Sequence, residues 1–177
     1  EHTAPAGYEL MTQPVTFTVG TDGKIAFTNE TTAANAGYAQ SHDDATGVVT
    51  ITATDHPVEI DLVKNGSDDK SNLDGAEFEV YAGESATGKL VATATTDNGM
   101  LSFDKLTANA TYTLHEKTAP AGYKLMADVV FKVNEYGLVT FADADAAAAS
   151  GYSVNEENGV VTITAIDQLI EITLNKE

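Results

Sequence analysis

The sequence predicts an all-β protein, a sandwich of short strands, and three observations carry the prediction. Apolar and polar residues alternate with period two in run after run between turn residues. Threonine, valine, alanine and glycine dominate while tryptophan, cysteine and arginine are absent, a bias that suits short strands and tight turns rather than helices. The chain also repeats itself: Glu1-His-Thr-Ala-Pro-Ala-Gly-Tyr-Glu-Leu-Met11 returns as Glu116-Lys-Thr-Ala-Pro-Ala-Gly-Tyr-Lys-Leu-Met126.

Taken in order, strands are expected at 15–19 and 25–28, where Val15, Phe17 and Val19 alternate and then Ile25 and Phe27. The next are 48–54 and 58–64, with Ile60 and Leu62 on one face, followed by 76–81 and 89–95. Asn98-Gly99 predicts a hairpin turn into 100–103. Strands 111–117, 128–133 and 138–141 follow. Asn158-Gly159 then predicts a turn before 160–166, and 169–176 closes the series. The alanine-rich stretch 142–150 could form a short helical turn but is read as a loop. Many short strands at this spacing argue for a sandwich.

The repeat sets the domain organisation. Gly47-Val-Val-Thr-Ile-Thr-Ala-Thr-Asp55 reappears as Gly159-Val-Val-Thr-Ile-Thr-Ala-Ile-Asp167, and Gly37-Tyr38 as Gly151-Tyr152. Val58-Glu-Ile-Asp-Leu-Val-Lys64 corresponds to Ile170-Glu-Ile-Thr-Leu-Asn-Lys176, so Lys64 and Lys176 give a period of 112 residues. Residues 1–57 are therefore expected to be the C-terminal part of one unit, 58–168 a complete unit, and 169–177 the first strand of a following one.

Three ionisable residues continue apolar rows. Side chains two apart share a strand face, which groups Ile60, Leu62 and Lys64, then Tyr112, Leu114 and Glu116, then Val161, Ile163, Ala165 and Asp167. Glu1, Asp55 and Lys176 repeat the placement in the flanking partial units. Strand ends that leave surface charges would account for any one row alone, and an ordinary buried salt bridge is a second alternative for the set. All three together point elsewhere. Burial drives an ammonium and a carboxylate toward their neutral forms. A neutral amine is a nucleophile, a neutral carboxylic acid is a better electrophile than a carboxylate, and a second carboxyl can relay the protons. Amide formation between side chains needs those three groups, and enforced proximity supplies effective molarities on the order of 10⁵ M or more.

Composition removes other chemistries. The formal charge of -18, from nine basic and 27 acidic residues, repels phosphate-rich partners, so neither nucleic acid nor an anionic membrane is expected as a partner. Without cysteine there are no disulfides or thiolate sites, and any covalent staple must use other groups. No apolar run reaches the roughly 20 residues of a membrane span. His2, His42, His56 and His115 lack ligand spacing and are read as solvated. Asp68-Asp69 and Asp143 with Asp145 fit no EF-hand loop, so no metal or cofactor is expected.

Residues 58–168 also resemble a Cna protein B-type repeat of the SpaA-like, prealbumin-like kind found in Gram-positive surface pilins and adhesins. The resemblance rests on Leu62-Val-Lys64, Leu73-Asp-Gly-Ala-Glu-Phe-Glu-Val80, Gly99-Met-Leu-Ser-Phe103 and Tyr112-Thr-Leu-His-Glu116-Lys-Thr-Ala-Pro-Ala-Gly-Tyr123, in that order. It implies immunoglobulin-like (prealbumin-like) β-sandwich repeats in tandem. It further implies Lys64 as nucleophile, Asp167 as acyl partner and Glu116 as catalytic acid in an isopeptide bond. The family more often uses asparagine, which raises Asn175. That residue is set aside because its repeat counterpart is Val63 and it faces away from Ile172 and Leu174.

The functional expectation is a stalk or pilus-shaft repeat, extracellular and cell-wall anchored or in a pilus, with neighbouring repeats as partners and no enzymatic turnover. Two alternatives stand beside it: a module binding a host protein or glycan through loops such as 32–46 and 142–158, the most divergent stretches between repeats, and an accessory domain of a secreted enzyme. Completion of Glu1 and Asp55 by Lys176 of a neighbouring molecule is disfavoured, because the middle strands of that unit are missing.

Overall fold

The computed structural model describes residues 1–11, 13–157 and 159–176. Its strands, in chain order, are β1 (Phe17–Val19), β2 (Ile25–Phe27), β3 (Tyr38–His42), β4 (Val49–Ala53), β5 (Glu59–Gly66), β6 (Glu77–Ala82), β7 (Leu90–Thr95), β8 (Met100–Asp104), β9 (Ala110–Thr118), β10 (Val129–Val133), β11 (Val139–Phe141), β12 (Tyr152–Glu157) and β13 (Val160–Asp167). Two short helices, α1 (Glu30–Asn35) and α2 (Ala144–Ala149), interrupt them.

Strands β5 to β13 build a prealbumin-like sandwich. A five-stranded sheet runs β11-β10-β9-β6-β7 and a four-stranded sheet β12-β13-β5-β8. The alternation seen in the sequence becomes burial: along β5, Ile60, Leu62 and Lys64 are inside while Asp61, Val63 and Asn65 are half-buried. Ile60, Leu62, Phe78, Val80, Leu114, Phe131 and Ile163 meet between the sheets as the core. The first strand β5 pairs in parallel with the last strand β13, Ala165 opposite Lys64 and Asp167 opposite Gly66.

The first 57 residues repeat the last part of this design. The β1–β2 hairpin sets Phe17 opposite Phe27 as β10–β11 sets Phe131 opposite Phe141, and β3–β4 sets Tyr38 opposite Ala53 as β12–β13 sets Tyr152 opposite Ala165. Each helix is capped alike, the Asn29 side chain accepting from Thr32 N and the Asp143 side chain from Ala146 N. In the sandwich the corresponding hairpins lean on β9 and β5, whereas β1–β2 and β3–β4 form separate two-stranded sheets.

Four expectations need correction. The segments 32–46 and 142–158 are not loops, since each carries a capped helical turn and a strand that hydrogen-bonds to its neighbour. Segment 169–176 is not a strand: beyond a bridge from Leu169 to Tyr123 and a bond from Ile170 N to Gly122 O it joins no ladder among the described residues, and Ile172 and Leu174 are each 91% exposed. Its apolar face has no second sheet beside it to bury against. The Asn98-Gly99 turn forms, with both residues at positive φ as a type I′ turn requires. Yet it joins strands of different sheets, with only Asp97 and Met100 bridged across it. The expected Asn158-Gly159 turn includes Asn158, outside the described residues. Finally, His42 and His115 are half-buried rather than solvated, and contact Asp44 at 3.2 Å and Asp128 at 2.7 Å.

Candidate crosslink site

Three strands deliver three ionisable side chains to one point in the core. Lys64 ends the apolar row of β5, Asp167 ends that of β13 in the same sheet, and Glu116 ends that of β9 in the opposite sheet. Lys64 and Asp167 are 0% exposed and Glu116 1%. Lys64 Nζ lies 2.5 Å from Asp167 Oδ1 and 2.8 Å from Glu116 Oε1. All three residues singled out from the sequence are therefore in mutual reach.

Three residues not singled out as site residues complete the surroundings. Lys64 Nζ donates to the Met126 thioether at 3.0 Å, and Met126 N donates to Glu116 Oε2 at 2.8 Å. Met126 thus fixes the acid while touching the amine. Tyr152 is fully enclosed beside the cluster, its phenol pushed well above its usual range by burial and then by the charges of Glu116 and Asp167. The Phe78 ring lies 5.1 Å from Nζ and closes the wall. The signal for Met126 and Tyr152 was present in the repeat, because Met11 and Tyr38 hold the same places, but neither residue type announces amide chemistry.

Burial raises the Asp167 carboxyl from 3.8 to about 6, Glu116 pushes in the same direction, and Lys64 opposes both. Among the described residues Asp167 Oδ2 has no hydrogen-bond partner, and Glu116 Oε1 approaches the amine without hydrogen-bond geometry. Buried polar atoms are rarely left so. A carboxylic acid held in contact with an amine, with a second carboxyl beside the amine, has the parts needed for amide formation.

The partial sites differ. Glu1 Oε2 accepts from Met11 N at 2.8 Å, reproducing the contact of Glu116 with Met126, but Glu1 is exposed and Asp55 half-buried. Lys176 sits exposed in the unpaired tail. A cleft of about 630 Å³ lies elsewhere, lined by Glu9, His56, Glu59 and Tyr136 among others, and includes none of Lys64, Glu116 or Asp167. Asp143 is occupied as a helix cap and Asp68 accepts from the Tyr123 hydroxyl. Among the described residues no cluster of three or more His, Asp or Glu is arranged to hold a metal ion.

A two-sheet sandwich with parallel first and last strands and a lysine enclosed by two carboxyl groups defines a class of small β-sandwich domains. Residues 58–146, half of the chain, match the SpaA family, a prealbumin-like fold domain, and the chain belongs to that family. Among solved structures it is similar to a C-terminal fragment of the pilus adhesin SpaC from Lactobacillus rhamnosus GG, at 21% identity over 98% of this chain and 76% of that one, with a TM-score of 0.53. SpaC in an open conformation gives the same identity and TM-score, over 98% of this chain and 24% of that longer one. At this identity the likeness is one of fold. No curated protein matches the chain.

Proposed function

We propose that the chain is a structural stalk or shaft segment of a bacterial cell-surface adhesin or pilus, extracellular, and stabilised by an isopeptide bond between Lys64 and Asp167. The observation that carries this reading is the enclosed Lys64 amine, 2.5 Å from Asp167 Oδ1 and 2.8 Å from Glu116 Oε1. Family membership and the fold shared with the pilus adhesin SpaC support the setting.

In the reaction the neutral amine of Lys64 attacks Cγ of protonated Asp167. Glu116 accepts a proton from the nitrogen and returns one to the departing oxygen, so that amine and acid become an amide and one water. It happens once per molecule, which makes the domain a self-modifying structure and not an enzyme. Neighbouring repeats of the same polypeptide are the partners such a stalk requires.

The intact mass of the purified chain tests the bond. A mass one water below that of the sequence is expected, with Lys64 and Asp167 joined in a branched peptide after digestion. Loss of ammonia would move the site to an asparagine, and an unshifted mass would remove the bond.

A further inference from the structure

We propose that the Tyr152 hydroxyl takes part in the Lys64–Asp167 reaction, donating a hydrogen bond to Asp167 Oδ2 as that oxygen gains charge. The proposal rests on the crosslink reading above and extends it by one catalytic residue.

Among the described residues three buried side-chain atoms at this site lack hydrogen-bond partners. Tyr152 is 2% exposed and its hydroxyl is one of them, although buried tyrosine hydroxyls usually find a partner. The other two are the acceptors Asp167 Oδ2 and Glu116 Oε1. Glu116 Oε1 lies 2.8 Å from the Lys64 amine, which leaves Oδ2 as the acceptor on the group under attack.

The sheet register explains why they share the site. Tyr152 pairs with Ala165 across β12–β13, and Ala165 pairs with Lys64 across β13–β5. Tyr152 and Lys64 therefore flank one small side chain on one face, with their Cα atoms roughly 10 Å apart. Asp167 follows Ala165 by two residues and shares that face. The phenol stays protonated there, since burial and the charges of Glu116 and Asp167 oppose its ionisation. The repeat supplies a second instance: Tyr38 stands opposite Ala53, two residues before Asp55. Packing alone does not call for the hydroxyl, because the contact of the Tyr152 ring with Phe141, centroids 6.3 Å apart, would survive in phenylalanine.

The chemistry balances without a further reagent. Attack of Lys64 Nζ on Asp167 Cγ forms the C–N bond and pushes the carbonyl electron pair onto Oδ2, where the tyrosine donates its hydrogen bond. Glu116 moves a proton from nitrogen to Oδ1, the Cγ–Oδ1 bond breaks, and water leaves. Oδ2 becomes the amide oxygen and Tyr152 keeps its proton. A fixed donor aimed at an oxyanion acts in the transition state more than in the ground state.

The test follows bond formation in the full chain made by cell-free translation, quenched at intervals in acid and denaturant and read by intact mass. Tyr152→Phe is expected to lose its water about 100-fold more slowly than the parent, the usual effect of removing one such donor. A second pair controls for folding: in chains carrying Lys64→Met, which cannot crosslink, Tyr152→Phe should leave the melting temperature unchanged or higher. Water loss by Tyr152→Phe at the parent's rate overturns the proposal and leaves the crosslink standing. A lowered melting temperature in the Lys64→Met pair would assign the tyrosine to packing and also overturn it. If the parent itself loses no water, the crosslink reading fails and the tyrosine's role fails with it.

Discussion

Asp167 stands opposite Gly66 in the parallel β5–β13 ladder, not opposite Lys64, and Lys64 closes the offset by reaching along the strand until Nζ is 2.5 Å from Asp167 Oδ1. The offset of two residues, roughly 6.6 Å, suits the length of a lysine and no shorter cation. The two residues are 103 positions apart in sequence yet lie on adjacent strands. Because those strands are parallel, a pull on the chain enters at the start of β5 and leaves at the end of β13, loading the ladder in shear close to the proposed bond.

Stretching single molecules should therefore separate the crosslinked chain from Lys64→Met. The parent is expected to lengthen little across this unit, because the load passes through the amide and bypasses the residues between. Lys64→Met should release them at roughly 3.3 to 3.6 Å per residue. Full-length unfolding steps in the parent would sink the load-bearing role even with the mass loss established.

Glu116→Ala should fold and remain uncrosslinked. Its largest loss is the covalent loop, worth about 5 kcal/mol in the chain-entropy account of a loop of roughly 100 residues. Leaving Met126 N without its acceptor adds roughly 1 to 3 kcal/mol. Mass spectrometry and thermal melting together read both effects; a complete loss of water in this variant would show Glu116 to be a bystander.

Asp167 gives the uncrosslinked fold a pH dependence that the amide abolishes. Its carboxyl titrates near 6 when folded against 3.8 when unfolded, so the native state binds the proton more tightly. The resulting stabilisation is whole below pH 3.8 and is lost as the pH rises through about 6. In Lys64→Met the burial and Glu116 remain while the opposing lysine is gone, so stability measured by denaturant titration should fall across this window by about 3 kcal/mol or more relative to the crosslinked parent. Parallel pH profiles in the two chains would rule this out.

Gly66→Ala should weaken the site without touching a reactive group. A Cβ there would lie 2.7 Å from the Tyr123 ring and hydroxyl and would also meet Asp68 Oδ1. Tyr123 would have to move, breaking the 2.8 Å bond from its hydroxyl to Asp68. Overpacking of this kind costs about 1 to 3 kcal/mol. The expected result is a lower melting temperature together with a fraction of molecules lacking the water loss; full crosslinking at parental stability would contradict it.

The face of each strand was legible in the sequence, because a period of two follows from the extended backbone itself. Lys64, Glu116 and Asp167 could be seen to continue apolar rows before any strand had a partner, and they are buried at 0%, 1% and 0% exposure. The repeat likewise marked the hairpins that recur as β1–β2 and β10–β11, and as β3–β4 and β12–β13. Sheet membership was not legible. An alternating strand looks the same whichever neighbour it joins, so nothing in 89–103 disclosed that β7 and β8 part into different sheets across a tight turn. The same limit governs burial: Phe17 is 47% exposed and its counterpart Phe131 1%, Ile51 40% and Ile163 1%, with identical residues in matching hairpins. Residues 169–176 carry the same alternation as β5 but form no strand beyond the contacts of Leu169 and Ile170, since a strand is stabilised by the ladder and the facing sheet rather than by its own pattern. The helices and strands inside 32–46 and 142–157 were hidden by short, alanine-rich or polar sequence that becomes regular only when capped and paired. Met126 reaches the lysine through loop closure and Tyr152 comes beside the two carboxyls through sheet register, long-range relationships that local sequence does not encode.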